Sequence, residues 1–415
     1  MYDHEGTKSM NEIPIDNTAD DTSENPGKSS LKTIFRIKKE RYHWIDQGRG
    51  MVMFLLVVSG LMPDLLRTGN PISAFFFEHP STTAPYMDLY DVGVPAFFFI
   101  IGLLMAVSFK NRIKKKGTWN AVLNELIRWG LIFATWEIIL FFTGDGFGKI
   151  KQISPGVYWY VVSWDVVNAL GFCGMLAIPF LFLSNKTRFY IAYGMIAFYQ
   201  VMISVPDTMW RQYAIASVHG GFLGAIFVLT PIVLIGSCVG EYYVLGTERT
   251  KREKDKRLVI LCLVNLAIGL VLWLIPGGFP NKRQSTAGYA TISMAVVIAG
   301  LLAFVYTDWK DEHYASLNKV NKGRIVLFNA YGQNPFLIFI LGEIFGGGFG
   351  AIYGDLDLYL QVIVWLAGVL VISIVALVLY KKGKIISTTK IALFIVILLV
   401  TVGLILYPLG IFNMF

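Results

Sequence analysis

The chain has 415 residues, 55% of them hydrophobic and only 15% charged, against roughly 25% charged in a typical globular protein. With 30 phenylalanines and a mean hydropathy of +0.58, it excludes a soluble two-domain enzyme, a disordered chain and a disulfide scaffold. The formal charge of +8 is unevenly placed: residues 1–27 hold seven acids against Lys8, a net of −6, so the remainder carries +14 in short loops between apolar blocks. Bases so placed orient a membrane protein and do not point to nucleic acid.

In chain order, residues 1–30 read as a disordered acidic tail, Ser/Thr/Asn/Asp-rich and without periodicity. They contain no basic region followed by an apolar run, so no cleavable signal peptide is expected. Residues 31–46 form a basic lead-in, and residues 47–415 the membrane domain. Eleven spans are predicted, at 47–66, 91–110, 122–143, 160–183, 188–205, 222–245, 258–276, 288–307, 325–345, 358–380 and 387–411. Each approaches the ~20 residues a helix needs to cross the hydrocarbon layer, and continuous apolar runs fit helices better than alternating barrel strands. The predicted class is therefore all-α, a polytopic helix bundle in the lipid bilayer. With eleven spans every strongly basic loop, including Lys110 to Lys116, Arg249 to Arg257 and Lys381 to Lys384, falls on the side of the N-terminus. That side is expected to be cytoplasmic and Phe415 outside. Cys173, Cys238 and Cys262 lie in apolar blocks without CxxC spacing, which implies packing and neither a metal site nor a disulfide.

Ionisable residues inside spans are functional candidates, because a central Asp or Arg costs roughly 2.5–3.5 kcal/mol even on insertion scales. Asp46 and Arg49, at i and i+3 on the first span, share a face and can pair. They are either a topogenic charge with its partner or a cationic anchor for a phosphate-bearing ligand, with Gly48 and Gly50 allowing another backbone close. Asp91 opens the second span, as a helix cap, as a ligand group, or as both. Lys110 and Arg112 are stop-transfer charges that can also face a nucleotide. His79, beside Phe75-Phe76-Phe77-Glu78, and His219 are the two outward histidines. Trp164, Asp165 and Asn168 give the fourth span a polar outer face. Gly332-Gln333-Asn334-Pro335 breaks the ninth, and Glu343 follows it.

Read in order, these pieces resemble the heparan-α-glucosaminide N-acetyltransferase family. Asp46, Arg49 and Gly50 match its Asp-x-x-Arg-Gly lead into the first span. His79, twelve residues before Asp91, matches its lumenal histidine, and Asp91, Pro95 and Phe97-Phe98-Phe99-Ile100 its second span. Arg128, Phe279-Pro280-Asn281-Lys282 and Gly332-Gln333-Asn334 continue the series to about residue 380. Departures mark a divergent member: Ser81-Thr82-Thr83-Ala84 replaces the family's Trp-Asn-Gly, and Ala169 stands where an Arg is common.

The resemblance implies transfer of an acetyl group from cytosolic acetyl-CoA to an amine or hydroxyl, on a sugar or glycan acceptor, at the outer face. Asp46, Arg49, Lys110 and Arg112 would hold the donor. His79 would act as base, oriented by Asp91, with Asn334 donating toward the thioester oxygen and no metal required. A second copy of the chain is a further candidate partner. Two alternatives stand beside this reading. A transporter or flippase would use the broken ninth helix and Glu343. A surface-polysaccharide O-acyltransferase usually carries an Arg in the first span and a His about ten residues on, and residues 50–62 contain no histidine.

Overall fold

The computed structural model describes residues 42–406, apart from 65, 67–85, 143–147, 163–164, 247–248, 276, 316–324 and 355. The acidic tail, residues 31–41 and His79 therefore lie outside the described residues. Tyr42–Phe415 makes up one compact unit.

Thirteen helices carry this unit among the described residues: α1 His43–Gly60, α2 Gly93–Lys116, α3 Thr118–Phe142, α4 Val166–Ala177, α5 Asn185–Ser204, α6 Met209–Ala216, α7 Val218–Leu245, α8 Lys251–Trp273, α9 Ala287–Ala315, α10 Val326–Gln333, α11 Pro335–Tyr353, α12 Leu358–Lys381 and α13 Thr388–Leu406. Helix thus occupies each of the eleven predicted segments, and the fold is the expected all-α bundle. Among the described residues five helices qualify by length and apolarity as membrane spans: Leu89–Lys116, Val218–Leu245, Lys251–Trp273, Ala287–Asp308 and Leu358–Lys381. A sixth is added if α5 and α6, bent by 101°, count as one. Pro206 and the left-handed Asp207 (φ 56°) lie at that bend, and Thr208 restarts the helix by accepting the Arg211 amide.

The apolar windows of α2 and α7 are 72% and 78% buried, whereas those of α8 and α12 are 17% and 22% buried. The first pair is the centre of the bundle, and the second offers its apolar faces to lipid. The central pair meets backbone to backbone. A Cβ on Gly236 would lie 2.1 Å from the Phe99 carbonyl oxygen, and one on Gly240 would lie 2.2 Å from that of Leu103. Small residues four apart let membrane helices gain van der Waals contact where apolar burial drives nothing. The crossing of α1 and α10 repeats the device: Gly50 abuts the Phe328 carbonyl and Gly332 that of Asp46. Asp308 near the end of α9 accepts the Trp44 amide (2.9 Å), placing a carboxylate at the positive start of α1.

Two local features depart from the expected pattern. The fourth span is predicted from residue 160, but an antiparallel hairpin, β1 Gly148–Ser154 and β2 Val157–Val162, precedes α4. Its turn is Pro155-Gly156 with Gly156 at φ 76°, which suits a type II turn. Trp159 packs on Trp210 and Tyr213 of α6, with ring centroids 5.9 and 5.4 Å away. The second departure is at the lead-in, where residues 43–46 are already the first turn of α1.

Candidate active site

Polar groups gather at two places along the bundle. The first is built around the start of α2. Asp88 and Asp91 form a capping box on the turn Leu89–Val92, and the Asp88 amide donates to Asp91 Oδ2 (3.3 Å). Asp91 is thus the reciprocal partner in the cap, with Asp88 in the cap position itself. It is fully buried, and its carbonyl accepts from the Tyr289 hydroxyl (3.0 Å). Lys282 Nζ lies 3.6 Å from Asp91 Oδ1 and 5.5 Å from the centre of the Tyr90 ring. Burial pulls the Lys282 ammonium down to about 8, although the charges of Asp91 and Asp165 act to raise it.

Asp165 belongs to the same cluster because it caps α4. Its Oδ1 accepts the Val166 amide (2.6 Å), and its own amide donates to Asn168 Oδ1 (2.7 Å). Asn168 Nδ2 then donates to Glu137 Oε1 of α3 (2.8 Å), so a buried polar chain runs from the α4 cap into the bundle. Glu343 of α11 is near enough for its charge to act against Asp165. His219 is buried in a left-handed turn (φ 55°) followed by Gly220 and Gly221, both also at positive φ. This turn is pinned to the Lys282 loop, since the Gly220 amide donates to the Arg283 carbonyl (2.7 Å).

The second place is the start of α1. Arg49 donates to Asp46 Oδ1 (2.8 Å) and to the Gly332 carbonyl. The break at Asn334-Pro335 frees that carbonyl from the helix ladder, and Arg49 Nη2 donates to both acceptors at once. Asn334 is built into this end and not beside Asp91. Its Nδ2 donates to the Lys384 carbonyl (3.1 Å) and its Oδ1 accepts the Ile386 amide (2.7 Å). Its amide therefore ties the α12–α13 turn to the break, away from Asp91, while His79 lies outside the described residues. Lys110 pairs with Glu241, and Arg112 pairs with the buried Glu125 (2.9 Å). Both cations keep part of their side chains exposed, 42% and 29%.

A cavity of about 190 Å³ lies between α1, α2 and α9. Its walls are apolar and run from Gly48, beside Arg49, to Tyr90, whose ring faces Lys282. Among the described residues no group of three or more His, Cys, Asp or Glu is arranged to hold a metal ion.

Sequence patterns alone do not single out Lys282, Glu137, Arg188 and Glu241 as site residues. Lys282 is legible there as a loop base and as the last residue of the Phe279-Pro280-Asn281-Lys282 landmark, with no role attached to it. Arg188 has the position of a topogenic charge at a span end. It is wholly buried, bonded to Ser237 Oγ (2.7 Å), Asn185 and Glu241. The acid in α7 is its signal, because a carboxylate inside a span needs a cation.

No curated protein matches the chain. The family model for the acyltransferase domain Acyl_transf_3 matches residues 42–381, most of the sequence and all of α1 to α12. This agrees with the hydroxyl-acylating alternative, against which the lack of a histidine at 50–62 weighs. A match of that extent, laid over a bundle with five helices apolar and long enough to cross a bilayer, makes this chain an integral membrane protein of the acyltransferase family.

Proposed function

We propose that the protein transfers an acetyl group from cytosolic acetyl-CoA to a hydroxyl or amine of a sugar at its outer face. The observation that carries this reading is an apolar cavity whose lining runs from Gly48, next to the Arg49–Asp46 pair, to Tyr90, next to the buried Asp91–Lys282 pair. In this scheme the chain crosses the bilayer eleven times, with the start of α1 facing the cytoplasm and the Asp91 cluster and Phe415 outside.

The donor's phosphates would meet Arg49, Lys110 and Arg112, the last two through their exposed ends. Asn334 supports this mouth by holding residues 384–386 against the break. At the outer end His79 takes the proton of the acceptor hydroxyl or amine as that oxygen or nitrogen attacks the thioester carbonyl. The C–S bond breaks, and the thiolate leaves as CoA and takes up a proton. Asp91 orients the histidine. General-base assistance is worth roughly 10²–10⁴ in rate. The match to the acyltransferase domain supports acyl transfer in general. The family resemblance of the His79–Asp91 segment supports the acetyl group and leaves amine and hydroxyl as the two acceptors to compare.

The test uses purified protein with radiolabelled acetyl-CoA and a panel of amino and neutral sugars. Wild type is expected to acetylate at least one class, and His79→Ala to lose two to four orders of magnitude in turnover. His219→Ala serves as the matched control for an outward histidine. Equal, small effects of the two substitutions would sink the role of His79. Consumption of no acetyl-CoA with any acceptor, together with flux of a sugar across proteoliposomes, would favour the transporter alternative.

A further inference from the structure

The loop between α8 and α9 is held by a series of hydrogen bonds to its own residues and to α5. Thr286 Oγ1 donates to the Phe279 carbonyl (2.6 Å) and accepts the amides of Asn281 (3.1 Å) and Tyr289 (3.2 Å). Asn281 Oδ1 accepts the Gln284 amide (3.0 Å), and the Tyr199 hydroxyl donates to the Gln284 carbonyl (2.7 Å). Gln200 Oε1 accepts the Ala287 amide (2.8 Å). Inside this frame Ser285 sits at φ 51°, opposite the left-handed turn of His219, Gly220 and Gly221. Left-handed conformations at non-glycine residues persist only where the surroundings over-determine them, and they collect at functional sites. All of this bonding fixes the direction of one side chain, that of Lys282, toward a carboxylate with 1% of its side chain exposed.

We propose that Lys282 is a positioning residue of the acyl-acceptor site, whose ammonium keeps the buried Asp91 carboxylate charged and in place. The proposal rests on reading this end of the bundle as that site. The charged and titratable groups facing Lys282 come from every neighbouring element. Asp91 and Tyr90 at the start of α2, Asp165 at the cap of α4 and Arg283 on its own loop act on Lys282 directly, while Asp88 and Tyr289 are bonded to Asp91, Glu343 of α11 acts on Asp165, and His219 lies on the turn bonded to Arg283. A carboxylate buried among other acids ionises only with a cation close by. Lys282 also has a stem long enough to reach Asp91 across the Tyr90 ring, which contributes a cation–π contact.

Two measurements test this on the full-length protein in detergent. Infrared difference spectra at neutral pH do not depend on turnover. Lys282→Met is expected to show a protonated-carboxyl band that is absent in wild type, in Lys282→Arg and in the double variant Lys282→Met/Asp91→Asn. No such band in a folded Lys282→Met protein overturns the proposal.

The second measurement is the pH profile of acetyl transfer. Lys282 loses its charge as pH rises through about 8, so wild-type turnover should fall about fivefold between pH 8 and 9. Lys282→Arg stays charged there, and its activity should run level over the same interval. A merely structural lysine would lower activity at every pH and leave the shape alone, so profiles of the same shape in wild type and Lys282→Arg overturn the proposal. If Lys282→Met fails to fold, the Lys282→Arg profile decides. If wild type transfers nothing to any acceptor, the enzymatic reading falls while the infrared result still decides Lys282.

Discussion

The ion cluster on Glu241 separates a residue that holds the fold from one free to meet a ligand. Glu241 bridges Arg188 of α5 and Lys110 of α2. Arg188 has no exposed surface, and its other acceptors, Ser237 and Asn185, are neutral. Removing one partner of such a pair leaves an uncompensated buried charge and costs about 3–5 kcal/mol. Lys110 keeps 42% of its side chain exposed, and solvent screening holds its share to below about 1 kcal/mol. Glu241→Gln, which strands Arg188, should therefore destabilise most, Arg188→Met less because Glu241 keeps the half-exposed Lys110, and Lys110→Ala least. The double variant Arg188→Met/Glu241→Leu should recover most of the loss, because apolar side chains of similar volume remove both desolvation penalties. Membrane proteins in detergent unfold irreversibly, so the assay is the half-life of monodisperse protein at a fixed temperature. A cost of about 3 kcal/mol, if absent from the unfolding transition state, shortens it by about two orders of magnitude. Equal half-lives for Arg188→Met and Lys110→Ala would refute the reasoning, as would a double variant no better than its worse parent.

Gly236→Ala should destabilise by about 1–3 kcal/mol because its Cβ meets the Phe99 carbonyl. Gly300→Ala, with nothing within 4 Å of the added carbon, should be neutral or stabilising by up to ~1 kcal/mol. The same half-life assay ranks the two, and the reverse order would dismiss the backbone contact of α2 and α7. Arg49→Ala should weaken acetyl-CoA binding at least tenfold by calorimetry. Unchanged affinity would reduce Arg49 to the clamp on Gly332. Single cysteines at 81 and 250 should react with a membrane-impermeant reagent on intact cells at 81 alone; labelling only at 250 would invert the proposed orientation.

Much of this protein is legible in its sequence, because a bilayer constrains sequence more simply than water does. A backbone in hydrocarbon must satisfy its own hydrogen bonds, so long apolar runs become helices whatever surrounds them, and α2, α7, α9 and α12 stand where hydropathy puts them. Local chemistry reads equally well where it acts within a few residues, as in the pairing of Asp46 with Arg49 and the break before Pro335. The hairpin escapes such a reading because Pro155-Gly156 between short alternating segments is weak beside the apolar run that follows it.

Tertiary structure alone decided which distant polar residues meet. Lys282 and Asp91 are 191 positions apart, Arg188 and Glu241 lie on separate helices, and Asn334 turns to residues 384–386 and not to Asp91. Periodicity reports which face of a helix is apolar, but partner choice depends on how helices cross. Here the crossings are set by glycines such as Gly50, Gly236 and Gly332, whose fit is a property of two surfaces at once.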